Sequence, residues 1–279
     1  MSAAAAGQGL AEWKAHGAAL KANGDAAGAL AAYEKAAALA PQSAELQDEV
    51  GFLLAVLKRN AEAKPHFQRA IELDPNYAAA HFHLGVAYWL ESDPNAAIPL
   101  LEKAARLRPN VFEYRYRLGT SFHEVGHYAE AARELAAATR LDPRHSQSWF
   151  ALGAAQEKSG ALTEARRAYA KAVETNPKDL NARNSLGFVL VQTGDAAKGL
   201  EQFRRVLAVD PENLVAMTNA GFAYLQTGEF DKAIEQLRVV LKRDPASAVA
   251  HYDLGLALKQ KDDLEGARKE LAEAIRLDP

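Results

Sequence analysis

Apolar side chains recur along this chain in two alternating stripes. Within a frame of 34 residues, positions 4, 7, 8 and 11 form one stripe and positions 20, 24, 27 and 28 form another. Spacings of three and four residues place each stripe on one face of a helix. Each frame therefore predicts a helix, a turn and a second helix. The turn carries Gly at position 15 in five frames, as Gly24, Gly126, Gly160, Gly194 and Gly228. Glycine suits the left-handed backbone just past a helix end. Proline at position 32 stops the second helix, because it has no N–H and disfavours helix at the residue before it. Small residues at positions 8, 20 and 27 let the two helices approach closely.

The frame holds register over nearly the whole chain. Pro41, Pro75, Pro109, Pro143, Pro177, Pro211, Pro245 and Pro279 stand 34 residues apart, and a glycine ladder from Gly17 to Gly255 runs beside them. Eight repeats start near residues 10, 44, 78, 112, 146, 180, 214 and 248, so residues 1–9 are expected to be a flexible segment and 10–279 a repeat domain. Position 24 is a large side chain throughout, as in Tyr33, Phe67, Leu135 and Phe203. No single repeat can bury its stripes alone, so repeats must stack on their neighbours. Pro65 and Pro99, both at position 22, predict local distortion of two second helices without a break in the stack.

These positions resemble the tetratricopeptide repeat family. The stretch WFALGAAQ…EARRAYAKAVETNP from Trp149 keeps most of the family's order of Trp, Leu-Gly, aromatic, Ala and Pro. Two departures are that Trp fills position 4 only at Trp13 and Trp149, and that position 7 is His16 and Ala220 in two repeats. The resemblance implies an all-α, right-handed superhelical solenoid of eight helix-turn-helix repeats. It also implies that positions 2, 5, 9, 12 and 13 of each first helix line a concave groove. Read onto this chain, those positions give Phe52, Phe82, Val86, Trp89, Tyr116, His123, Phe150, Asn181, Asn184, Phe188, Val191, Phe222, Leu225 and Tyr252 as candidate partner-binding residues. The set is aromatic and apolar with a few amides, which suits a protein or peptide segment with apolar anchors. Two specialised family sites are not matched. Lys14 is followed by Ala18 where a carboxylate clamp needs Asn, and only Asn219 occupies position 6 of an asparagine ladder.

Composition narrows the functions that remain. With 33 basic and 36 acidic side chains and a net charge of −3, the chain offers no electrostatic footprint for nucleic acid. The absence of cysteine removes disulfides and thiolate chemistry. No segment is long and apolar enough to span a membrane, and no signal peptide is seen, so the expected location is cytoplasmic.

One stretch, HEVGH at 123–127, spells the zinc-protease pattern. In register, however, Gly126 is the turn glycine, so His123 and His127 fall on either side of a helix end and should not share a face. Neither a cofactor nor catalysis is expected. The function expected is an adaptor or assembly scaffold. Two further readings are homo-oligomerisation through an uncapped last repeat, where Leu271, Ala274 and Ile275 would lie uncovered, and a recognition arm of a larger enzyme.

Overall fold

A computed structural model describes residues 3–278, with side chains from Gly9 onward. The described residues form sixteen helices and no strand. The first compact unit, Met1–Asp142, holds α1 (Ala3–Ala22), α2 (Ala26–Leu39), α3 (Ala44–Val56), α4 (Asn60–Leu73), α5 (Ala78–Leu90), α6 (Pro94–Leu107), α7 (Phe112–Glu124) and α8 (Tyr128–Leu141). The second, Pro143–Pro279, holds α9 (Ser146–Lys158), α10 (Leu162–Thr175), α11 (Leu180–Gln192), α12 (Ala196–Val209), α13 (Leu214–Gln226), α14 (Phe230–Arg243), α15 (Ala248–Gln260) and α16 (Leu264–Leu277). Within each unit a helix packs against its sequence neighbours, and successive first helices (α3 on α5, α11 on α13) also touch.

Seven of the first helices begin on repeat position 1 and run 13 residues. The exception is α1, which starts at Ala3 and is 20 residues long. Residues 3–9, placed by pattern in a flexible segment, are thus helical, as alanine's high helix propensity favours. Met1 and Ser2 lie outside the described residues. Pro65 and Pro99 sit inside uninterrupted helices. Both are solvent-exposed, so water can reach the carbonyl groups they leave unpaired.

The glycine ladder marks where each helix pair closes. A Cβ on Gly119 would lie 2.6 Å from Leu135, on Gly153 2.7 Å from Tyr169 and on Gly187 2.5 Å from Phe203. Position 8 is therefore small because position 24 is large and fully packed against it. Tyr169, Phe203, Leu135 and Leu237 are each at most 2% exposed.

At position 4, five repeats share a donor rather than a tryptophan. His81 Nε2 meets the carbonyl of Pro75, Arg115 Nε that of Pro109, Trp149 Nε1 that of Pro143, Arg183 that of Pro177 and His251 Nε2 that of Pro245, all at 2.8–3.1 Å. In these five repeats the side chain thus ties the first helix to the proline six residues before it. Position 4 also pairs with position 23 of its own repeat, as in Gln47–His66, Arg115–Glu134, Arg183–Gln202 and His251–Glu270. Leu100 fills position 23 of the third repeat, and there His81 Nδ1 is buried with no partner.

The turn at position 15 is left-handed in every repeat. Five have glycine, with φ of 79° at Gly126 for example, and three have Lys58 (φ 62°), Ser92 (φ 61°) and Asp262 (φ 60°). A residue with a Cβ loses roughly 1–2 kcal/mol in that region. Glycine avoids this but costs about 0.5–1 kcal/mol of chain entropy. Ser92→Gly should therefore raise stability by about 0.5–1 kcal/mol, read as an upward shift in the urea midpoint at unchanged m-value. A downward shift would mean that the serine side chain offsets the strain.

Candidate functional site

In the first unit, three of the candidate residues converge. Phe52 from α3 and Phe82 and Val86 from α5 line a cavity of about 300 Å³, together with Val56, Leu90 and the aliphatic wall between them. Helical geometry explains the grouping, because positions 5 and 9 of one first helix share a face, with position 9 of its neighbour beside them. His83 closes the floor. Its ring lies 5.3 Å from Phe52, 5.4 Å from Phe67 and 5.8 Å from Phe82 between centroids. His83 Nδ1 is 2.8 Å from Asp48 Oδ1, and that carboxylate is almost wholly buried. Glu113 and Arg117 of α7 complete the wall.

Next to this cavity, the indole N–H of Trp89 donates to both carboxylate oxygens of Glu124, at 2.7 and 2.9 Å. The guanidinium of Arg117 lies 4.3 Å above the Trp89 ring, and its outer nitrogen is 3.5 Å from Glu113. Trp89, Leu90 and Glu124 border a second, shallower depression of about 420 Å³. Phe82 stacks on Tyr114 at 4.6 Å, and Tyr116 stacks on Phe112 at 5.7 Å with planes 9° apart. Burial pushes the hydroxyl pKa values of Tyr114 and Tyr116 upward.

His123 does not join His127. Its ring packs edge-on against Tyr128 at 5.4 Å, whereas His127 stacks over Phe122 at 6.1 Å. α7 ends at Glu124 between them, and Gly126 turns the chain at φ 79°. The H-E-x-x-H pattern thus straddles a helix end and is never presented on one face.

In the second unit, the candidates divide. Phe188 and Phe222 face each other at 6.0 Å and are half-buried, as is Leu225. Phe150 leans on Tyr169 at 5.7 Å, whose hydroxyl donates to Glu157. Asn181 and Tyr252 are exposed. Val191 and Asn184 require correction. Val191 is 4% exposed and belongs to the core with Leu200 and Phe203. Asn184 is 6% exposed, and its amide donates to Asn213 Oδ1 at 3.3 Å. Both are walls rather than accessible groove residues, because the adjoining helices cover them. Conversely, His83 and Arg117, at position 6, lie outside the positions the family resemblance assigns to the groove, yet both line the cavity. The available signal was a polar residue interrupting an apolar neighbourhood.

No described helix is long and apolar enough to cross a membrane. Family models match three stretches of the chain. A cytochrome c-type biogenesis protein H TPR domain matches residues 134–249, and two tetratricopeptide repeat models match 53–112 and 248–279. Among curated proteins, no sequence matches significantly. Among solved structures, one described as YrrB, a TPR protein with an unusual peptide-binding site, is 23% identical with a TM-score of 0.64, covering 66% of this chain and 95% of its own. MamA from Desulfovibrio magneticus RS-1 is 24% identical with a TM-score of 0.55, covering 61% and 96%. The APC/C hetero-tetramer Cut9–Hcn1 is 19% identical with a TM-score of 0.57, covering 90% of this chain and 49% of the matched one. The repeat models, the paired helices in constant register and these shared folds lead to one conclusion: the chain belongs to the tetratricopeptide repeat family.

Proposed function

We propose that this protein is a non-catalytic interaction module, an adaptor or assembly scaffold. In this reading, the first-helix face of its first unit takes an apolar side chain from a partner segment. The observation that carries this is the cavity between Phe52, Phe82 and Val86, an open apolar recess already shaped by rigid helices. Sites of this kind, concave and mostly apolar with a few placed polar groups, are where ligands bind. The peptide-binding site in the description of YrrB is a property of that protein, and it supports the same use of the fold here. The half-buried Phe188–Phe222 pair offers a second, shallower contact in the other unit.

Val86→Arg tests this reading, because it puts a long charged side chain into the recess from a half-buried helix position. Proteins captured from native lysate by the wild type should fall at least about tenfold with the variant, as for a central contact worth 1.4 kcal/mol or more. Helical content by circular dichroism should be unchanged. Equal recovery would move the search away from this face.

A second reading is self-association through the last repeat. Val249, Tyr252 and Ile275 are 61%, 52% and 67% exposed and border one depression with Ala274. Light scattering across concentrations separates the two, since only the second makes mass rise with protein concentration.

A further inference from the structure

The cavity of the first unit has a single polar feature at its floor. Asp48 is 3% exposed, and His83 Nδ1 at 2.8 Å is its hydrogen-bond partner. A neutral imidazole whose Nδ1 donates to the Asp48 carboxylate has Nε2 left as an acceptor. Nε2 makes no hydrogen bond among the described residues, and the ring lines the cavity. The rings of Phe52, Phe67 and Phe82 pack within 5.3–5.8 Å of the imidazole, which together with the Asp48 bond restrains its rotation.

An occupant must therefore satisfy two demands. Its body must be apolar to pack against Phe52, Phe82 and Val86. Its tip must supply a hydrogen-bond donor to Nε2, because covering a bare acceptor forfeits its bond to water. An anionic tip is disfavoured by the buried Asp48 carboxylate directly behind the imidazole. Arg117 and Glu113 at the same wall are paired with each other at 3.5 Å, so that wall presents no net charge for an ionic tip to use.

We propose that this cavity is a specificity pocket for a tryptophan or tyrosine side chain of a partner segment, read by His83 Nε2, with Asp48 as the positioning residue that keeps it an acceptor. The proposal rests on the interaction reading above and names the side-chain chemistry that reading leaves open. It also distinguishes these residues from Phe and Leu, which match the walls but carry no donor. A site built to bond a donor discriminates strongly against analogues that lack one.

The test uses the full chain labelled with ¹⁵N-histidine at pH 8, where an ordinary imidazole is neutral. The probes are N-acetyl-tryptophanamide, N-acetyl-tyrosinamide, N-acetyl-phenylalaninamide and N-acetyl-1-methyltryptophanamide, which keeps the indole body without its N–H. The two donor-bearing probes should bind on the order of tenfold more tightly than the two that lack a donor, and only they should shift the His83 Nε2 resonance as a hydrogen bond does. His83→Leu should level the four affinities, and Val86→Arg should abolish all four.

Affinities equal within about twofold on the wild type would overturn the donor reading while leaving an apolar anchor site. No saturable binding of any probe up to its solubility limit would overturn the pocket as an anchor altogether. A donor preference that survives His83→Leu would overturn the role of His83. The wild-type comparison needs no variant, so it decides the matter even if His83→Leu loosens the α3–α5 contact.

Discussion

Replacing Phe203 by Ala should cost about 3–5 kcal/mol of stability, the range for emptying a fully packed aromatic site. Phe203 is 0% exposed, and its ring lies where a Cβ on Gly187 would stand, 2.5 Å from Cε1. The two positions form one steric unit. Gly187→Ala adds helix propensity worth about 0.5–1 kcal/mol, but it forces a ring with no free volume to move, at about 1–3 kcal/mol. The clash should win, giving a net loss. The double variant Gly187→Ala/Phe203→Leu should then lose less than the two single changes add up to, because the smaller branched side chain leaves room for the methyl. Residues in contact typically couple by 0.5–3 kcal/mol. Urea unfolding of the wild type, Gly187→Ala, Phe203→Leu and the double variant measures this directly. Additive costs would mean that Gly187 is small for a reason other than Phe203. The same test transfers to Gly153 with Tyr169, where a Cβ would stand 2.7 Å from the ring.

That pairing explains why so much of the fold could be read in advance. Positions 8 and 24 are complementary in size in each repeat, so the pattern that announces two helices also announces how they close. The proline and glycine ladders add register, and α3, α5 and α7 accordingly start at Ala44, Ala78 and Phe112. The structure departs where the pattern is silent. Residues 3–9 contain Ala and Gly with no stripe to read, so periodicity could not assign them to α1. The donor at position 4 was hidden because His, Arg and Trp look unlike one another. Their common property, an N–H reaching the carbonyl of the preceding proline, belongs to geometry rather than to residue type.

The candidate site was legible as a face but not as a pocket. Phe52, Phe82 and Val86 follow from helical geometry once the family resemblance assigns the first helix to the groove. Whether a given position stays open depends on its neighbours. Val191 shares position 12 with Trp89, yet Val191 is core whereas Trp89 borders an open depression. Asn184 shares position 5 with Phe82, but Asn213, the residue that caps the start of α13, draws it inward. His83 sits at position 6, outside the groove positions. It lines the cavity with Nδ1 anchored on Asp48 and its ring packed against Phe52 and Phe82.

A buried carboxylate elsewhere predicts how stability depends on pH. Asp253 also occupies position 6 and is 4% exposed, but no hydrogen bond or cation partners it among the described residues. Burial alone pushes its pKa up to about 7 from an ordinary value of 3.8. The native state therefore keeps this proton in a window where the unfolded chain has released it. Fewer protons on the unfolded state mean that stability falls as pH rises. The contribution is fully present below about pH 4 and is lost as pH rises to about 7, the raised value. A shift of about three units corresponds to at most roughly 4 kcal/mol, and relaxation around the charge reduces it to about 2–3.

Asp253→Asn keeps the shape and removes the charge. It should match the wild type near pH 4 and exceed it by about 2–3 kcal/mol at pH 8. Any contribution from the neighbouring His251–Glu270 pair is common to both proteins and cancels in the difference. The measurement is urea unfolding of both proteins at half-unit steps from pH 4 to 8. Parallel curves across that range would show that Asp253 ionises at little cost, through water or through movement of α15 away from its neighbours. A gap that opens with pH identifies this carboxylate as the group whose ionisation loosens the last repeat.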